Sequence, residues 1–269
     1  MRCGRPAASG DSTVANGTAR RTVSEEQPQF LQPDWPVPAN VNALVTTRAG
    51  GASGGGFASF NLGDHVGDDA AAVRRNRARL HAAAALPAEP VWLRQVHGTN
   101  VVDAAGAAPG AAADGVYARR PGAVCAVLTA DCLPIFLCNR DGTEIGLLHA
   151  GWRGLAEGIV AAGLRALRAP AEELLVWFGP AISAKAYEVG DEVRQTFVTL
   201  DPRAAEAFTR NAPGKWRMDL YRAARLQLAA CGVRAIYGGG YCTASQPDLF
   251  YSYRRDRVTG RMASLIWLG

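Results

Sequence analysis

The chain is short of lysine, histidine and methionine, and each shortage narrows what it can be. Of its 29 lysines and arginines, Lys185 and Lys215 are the only lysines, so the formal charge of +5 is carried by arginine. Those arginines are scattered, with no basic stripe interleaved with aromatics, which argues against a nucleic-acid footprint. Met218 and Met262 are the only thioethers beyond the initiator, and there are four histidines. The six cysteines, Cys3, Cys125, Cys132, Cys138, Cys231 and Cys242, form no CxxC pair and no short secreted framework, so a reducing, cytoplasmic setting is expected. No apolar run approaches the roughly 18 residues needed to cross a bilayer. The N-terminal "MRCGRPAASGDSTVANGTARR" lacks the apolar stretch of a secretory signal. Neither membrane nor nucleic acid is expected among the partners.

What is present is enough apolar residue, 48%, to build a substantial core. Residues 1–34, rich in Gly, Ala, Ser, Thr and Arg without periodicity, read as a disordered tail. Residues 35–269 read as one domain. Strand-like runs occur at 41–47, 90–96, 123–129, 134–138, 144–150, 174–179 and 262–268. Helical patterns occur at 69–85, 154–168, 191–199 and 219–231, the last opened by Asp219 as N-cap and closed by Gly232. The irregular order of strands and helices predicts an α+β fold, a mixed β-sheet core packed by helices.

Three side chains sit where predicted strands run out: His97 in "WLRQVHGTN", Cys132 in "LTADCLP" and His149 in "GLLHAGWRG". Strand ends are where loops meet and ligands bind. One cysteine and two histidines suit zinc and leave a fourth position open, the pattern of a catalytic site. Their separations, 35 residues and then 17, match no short zinc signature. From spacing alone, a buried cysteine with two hydrogen-bonded histidines stands as the alternative.

His81 falls inside a predicted helix and reads as a solvated or satisfied histidine. His65 lies in the long glycine-rich run from Arg48 to Asp69, and loops of that length tend to be functional. Beyond His149, "AGWRGLAEG" turns from strand to helix through glycines, which predicts a helix N-terminus able to meet an anion, with Arg153 beside it. The glycines of 50–56 fit neither the P-loop nor the dinucleotide pattern.

Taken together, "TTRAGG" (46–51), "FNLGDHVGDD" (60–69), "WLRQVHG" (92–98), "TADCLPIFL" (129–137), "HAGWRG" (149–154), "GPAISAKAYEVG" (179–190), "CT" (242–243), "FYSYRRD" (250–256) and "TGRMASLIWL" (259–268) resemble the YfiH-like family. Its members are known as laccase-domain or polyphenol oxidoreductase proteins and as purine nucleoside phosphorylases. The resemblance implies a CNF1/YfiH-like fold, with His97, Cys132 and His149 as ligands of one zinc ion. It also implies phosphorolysis of adenosine, inosine, guanosine and methylthioadenosine together with adenosine deamination. Purine nucleosides and phosphate are the partners expected of a monomer or homodimer.

Arg48 and Arg153 are then candidates for phosphate or ribose contacts, Glu188 for an acid or ribose-hydroxyl acceptor, and Arg254 for an oxyanion contact. Each has a fold-stabilising hydrogen bond as its alternative. Cys242 is a candidate for a residue behind the ligands or a redox group, or a plain buried cysteine. Three other functions compete. A copper-dependent phenol oxidoreductase would share the His₂Cys set, but too few histidines exist for several copper centres. A thiol hydrolase would use Cys132 as nucleophile with His97 or His149 as its base. A purely structural zinc site would make metal removal unfold the chain.

Overall fold

The computed structural model describes residues 27–269. The strands are β1 (Phe30–Leu31), β2 (Val41–Thr46), β3 (Val101–Asp103), β4 (Gly115–Ala118), β5 (Val124–Thr129), β6 (Leu133–Asn139), β7 (Ile145–Ala150), β8 (Leu174–Phe178), β9 (Glu188–Gly190), β10 (Phe208–Ala212), β11 (Lys215–Met218), β12 (Ala235–Gly238) and β13 (Met262–Leu268). The helices are α1 (Ala70–Ala83), α2 (Trp152–Glu157), α3 (Ile159–Ala166), α4 (Asp191–Leu200), α5 (Leu220–Ala230) and α6 (Tyr253–Asp256). None is long and apolar enough to cross a membrane.

Strands covered on both faces are written as unbroken apolar runs, and β5, β6, β7 and β8 are buried at every residue. A six-stranded mixed sheet runs β12-β8-β6-β7-β4-β3, and a four-stranded antiparallel sheet runs β1-β2-β13-β5. Alternation of side chains separates their faces. On β6, Leu133, Ile135 and Leu137 meet Ile159, Val160, Leu220 and Leu228 of the helices, while Phe136 and Cys138 meet the second sheet. On β5, Cys125 and Val127 face the first sheet, while Val124, Ala126 and Leu128 join Leu80 of α1 and Phe60. The result is four layers: helices, six strands, four strands, helix. The expected α+β class holds, with two stacked sheets and a small third one, β10-β11-β9, in place of one mixed sheet.

Several boundaries move. Residues 1–26 of the expected tail lie outside the described residues, but β1 falls within its last part: Phe30 pairs with Thr46 and Leu31 with Val45. Two apolar side chains suffice to seat that segment against the sheet edge. The run 90–96 is not a strand; it makes only single bridges, Val91 to Cys125 and Arg94 to Ala112. The predicted helix 154–168 starts at Trp152 and breaks at Gly158, whose φ of +97° favours glycine. The hairpin β10-β11 has no apolar alternation to announce it, because all but one residue of β10 faces solvent.

Candidate metal centre

The turn from β5 to β6 and the end of β7 lie side by side. Pairing of Pro134 with His149 and Leu133 with Ala150, carried one residue further, sets Cys132 opposite Gly151. A Cβ at Gly151 would stand 2.9 Å from Cys132 Sγ and 3.1 Å from His97 Cδ2, so only glycine leaves this space open. His97 arrives on the loop after the 90–96 segment, at φ +62°, an uncommon conformation for a side-chain-bearing residue. Its loop is clamped by Gln95, which exchanges hydrogen bonds with the backbone of Leu128 at 2.8 and 2.7 Å.

Donor atoms of His97, Cys132 and His149 lie within 4.8 Å of one another, with Cys132 Sγ 3.9 Å from His97 Nε2. Among the described residues this is the one cluster of three such donors. It matches a site for one metal ion.

Sequence reasoning missed Asp114, the residue that holds the cluster together. It is fully buried, and its Oδ1 lies 2.8 Å from His149 Nδ1, leaving Nε2 for the cluster. Its carboxylate also accepts from the N–H groups of His97 (2.9 Å), Gly98 (2.7 Å) and Val96 (3.1 Å), and its carbonyl from His149 N–H. One carboxylate therefore fixes two histidines, the usual partner of a metal-bound imidazole. Burial opposes its ionised form, yet His149 and these N–H groups hold its pKa below the usual range. The available signal was an aspartate immediately before β4, which composition does not distinguish from a turn former.

Burial alone would raise the Cys132 thiol, but His149 and His97 outweigh it and bring it down to about 6. Burial would likewise lower His149, and the charges of Cys132 and Asp114 raise it to about 9. Each group thus favours the charged form of the other. The thiolate is the form that binds metal.

The cluster lines a cavity of about 440 Å³. Four arginines line it, Arg153, Arg254, Arg257 and Arg261, three of them stacked on aromatic rings: Arg153 on Trp152 at 4.5 Å, Arg254 on Tyr187 at 5.0 Å and Arg257 on Tyr253 at 5.7 Å. Arg254 also donates to the Glu188 carbonyl (2.8 Å), and its backbone N–H to Asp131 Oδ2 (2.7 Å). Asp131, at φ +102°, accepts from Thr243 Oγ1 at 2.6 Å as well, which pins the turn carrying Cys132.

Of the residues expected to act in the site, Arg153, Arg254 and His65 line this cavity with the three donor side chains; Arg48, Glu188 and Cys242 do not. Arg48 spends its donors on the carbonyls of Ala58 (3.0 and 2.9 Å) and Pro247 (3.0 Å) and lies over Tyr251. The Glu188 carboxylate is taken by Asn211, and the Cys242 sulfur by Ser183 Oγ at 3.0 Å. Burial would raise the Cys242 thiol, but hydrogen bonds from Ser183 and Ser245 bring it to about 7. His81 is on α1, away from the cavity. The expected helix N-terminus is reduced to α2, six residues long, so the positive charge near the cluster comes from arginine side chains.

Residues 42–269 match the family model described as multi-copper polyphenol oxidoreductase laccase. A purine nucleoside phosphorylase of Pseudomonas aeruginosa is 51% identical over 240 residues, covering 89% of this chain and 98% of the relative. The purine nucleoside phosphorylase YfiH of Escherichia coli is 48% identical over 242 residues, covering 89% and 99%. A crystal structure of a Neisseria meningitidis protein superposes with a TM-score of 0.86 at 50% identity, covering 89% and 98%; YlmD from Geobacillus stearothermophilus gives 0.80 at 35%, covering 89% and 96%. With the matched segment carrying all three donors and Asp114, the chain belongs to the YfiH family of laccase-domain proteins.

Proposed function

We propose that the chain is a zinc-dependent purine nucleoside phosphorylase that also deaminates adenosine. The observation that carries this reading is the juxtaposition, in one cavity, of a three-donor cluster and a wall of four arginines. Relatives about half identical bear the name purine nucleoside phosphorylase. The donor set fits zinc: one thiol lowered toward thiolate, one imidazole oriented by Asp114, and a glycine where any side chain would collide with the donors. Bound there, zinc supplies Lewis acidity and a water with its pKa brought to about 7.

The rest falls to the chain. Arginines suit phosphate because a guanidinium offers paired donors and keeps its charge. Arg254 and Arg153, stacked on cavity aromatics, hold the anion, with Arg257 and Arg261 adding charge. Held there, phosphate attacks C1′ as the purine departs; positioning and charge complementarity do the catalysis. Adenosine deamination uses the same cavity with water as nucleophile. Adenosine, inosine, guanosine and methylthioadenosine are the substrates proposed.

A copper oxidase is the weaker reading. Several copper centres need more than one cluster, and a lone blue-copper site wants an axial ligand such as methionine. Met218 and Met262 lie in the core, outside the cavity lining. Metal content after purification without added metal separates the two readings. The decisive experiment is product analysis with adenosine, inosine and methylthioadenosine, with and without phosphate, on zinc-quantified wild type and His149→Ala. Free base and ribose 1-phosphate, or its methylthio analogue, that require both phosphate and His149 are expected, with inosine marking deamination. Folded, zinc-loaded protein yielding no product would overturn the reading.

A further inference from the structure

His65 is placed with unusual care for an exposed residue. Its side chain is 59% accessible and, among the described residues, lies 3.5 Å from the Asp64 carboxylate. The loop carrying it is anchored on both sides. Asn61, fully buried, donates to the Gly63 carbonyl (3.0 Å) and to Asp68 (2.9 Å) and accepts from Gly63 N–H (2.9 Å). Arg77 of α1 donates to the Leu62 carbonyl (3.1 and 3.0 Å) and pairs with Asp64 at 3.2 Å. Asn61 Oδ1 also accepts from Arg261 N–H at 2.8 Å, tying this loop to the arginine wall. The scaffold fixes the backbone that carries His65 relative to the segment bearing Arg261.

That place is a junction. His65 and Gln95 line both the cavity of the three donors and a neighbouring one of about 670 Å³, walled by Pro90, Trp92, Leu93 and Pro109. The first cavity carries four arginines and no free carboxylate beside them, whereas in the second Arg77 and Arg94 are balanced by Asp64 and Glu89 and the prolines, Trp92 and Leu93 add apolar surface, so an anion is drawn to the first and a flat heterocycle can lie against the second, with His65 between them.

We infer that His65 is the proton donor to the purine as it leaves, the base lying where the two cavities meet. This inference rests on the phosphorylase reading. A phosphate oxygen forms the bond to C1′ while the C1′–N9 bond breaks, its electron pair passing to the purine. The imidazolium gives its proton to N7, and the resulting imidazole is recharged from solvent. The other ionisable groups of the two cavities are engaged: Asp64 pairs with Arg77 and Glu89 accepts from Trp92. His97, Cys132 and His149 are donors to the metal, and both oxygens of Asp131 accept hydrogen bonds. Burial pushes the Tyr187 phenol up. Tyr253 is also a phenol, ordinarily a far weaker acid than imidazolium.

The test compares inosine with 7-methylguanosine, whose base already carries a positive charge and leaves without needing a proton. With zinc-loaded enzyme and saturating phosphate, His65→Asn is expected to lower kcat on inosine about 100-fold or more. The loss on 7-methylguanosine is much smaller, so the ratio of the two rates collapses; Tyr253→Phe leaves the ratio unchanged. Equal losses on both substrates, no loss on either, or a collapse in Tyr253→Phe alone would overturn the assignment. A melting curve verifies folding, and His65→Gln repeats the measurement should the first variant unfold. Wild type that cleaves neither nucleoside defeats the phosphorylase reading itself, a result distinct from any change in ratio.

Discussion

The donor cluster and the arginines that line the cavity are built in different ways. On the donor side, His149 is 4% exposed and Asp114 fully buried and hydrogen-bonded to the backbone of 96–98, while His97 reaches in from an exposed loop and Cys132 is half-buried. On the arginine side, guanidinium groups lie over aromatic rings at the rim, held by stacking and a few carbonyls. A buried polar network loses much when one member goes, because the others are left unpaired; a solvated rim loses only the contact removed. The donor side should therefore behave as a unit and the rim as separable contributions.

The largest effect is expected at the donors. His149→Ala or Cys132→Ser should abolish stoichiometric metal binding and turnover together, checked by metal content after gel filtration and by phosphorolysis. A folded variant that kept its metal would break the contrast at its strongest point.

Next comes Asp114→Asn. It places an amide N–H among backbone N–H groups and withdraws the charge facing His149. Metal affinity should fall about 10- to 100-fold in a chelator competition, with a stability loss of about 3 kcal/mol on denaturant unfolding. Affinity that fell no further than in a rim variant would show that Asp114 belongs to the fold alone.

Thiol reactivity tests the same side without catalysis. With its pKa near 6, Cys132 in metal-free protein is mostly thiolate at pH 7. Because the pKa is lowered, the reactive form persists above pH 6 and is lost below it. Alkylation at pH 7 should exceed that of an ordinary thiol near 8.5 by roughly 30-fold in thiolate population, and zinc should suppress it. Rapid alkylation of the zinc-replete enzyme would instead favour Cys132 as the nucleophile of a hydrolase.

At the rim, Arg254→Ala or Arg153→Ala should raise KM for phosphate about 10-fold with little change in kcat, as expected for a charge-assisted contact made equally before and during reaction. Strong coupling between the two in the double variant would erase the distinction between network and rim.

How much of this was legible in the sequence follows the same division. The strands β5 to β8 were readable because burial on both faces writes them as apolar runs, and His97, Cys132 and His149 stood at their ends or beside them. The polar strands β9 to β11 carry no such pattern, and Asp114 acts through contacts that exist only once 96–98 and 149 are brought together. Arginines were the hardest to sort. Arg257 and Arg261 entered the wall unannounced, while Arg48, equally conspicuous beside glycines, was consumed by carbonyls. A side chain with five donors serves a phosphate or a loop equally well, and nothing local in the sequence decides between them.

Arg48→Ala gives the smallest expected effect on activity and the clearest separation of these two uses. Its guanidinium bonds the Ala58 and Pro247 carbonyls, joining the glycine-rich loop to the segment before β13. Losing it should cost about 2 kcal/mol of stability, the scale of a hydrogen bond to a charged donor. KM for phosphate should stay within about twofold of wild type, since less than 0.5 kcal/mol of binding would be lost. A rise matching that of Arg254→Ala would return Arg48 to the phosphate-binding set, and would mean that the loop it pins moves over the cavity when substrate binds.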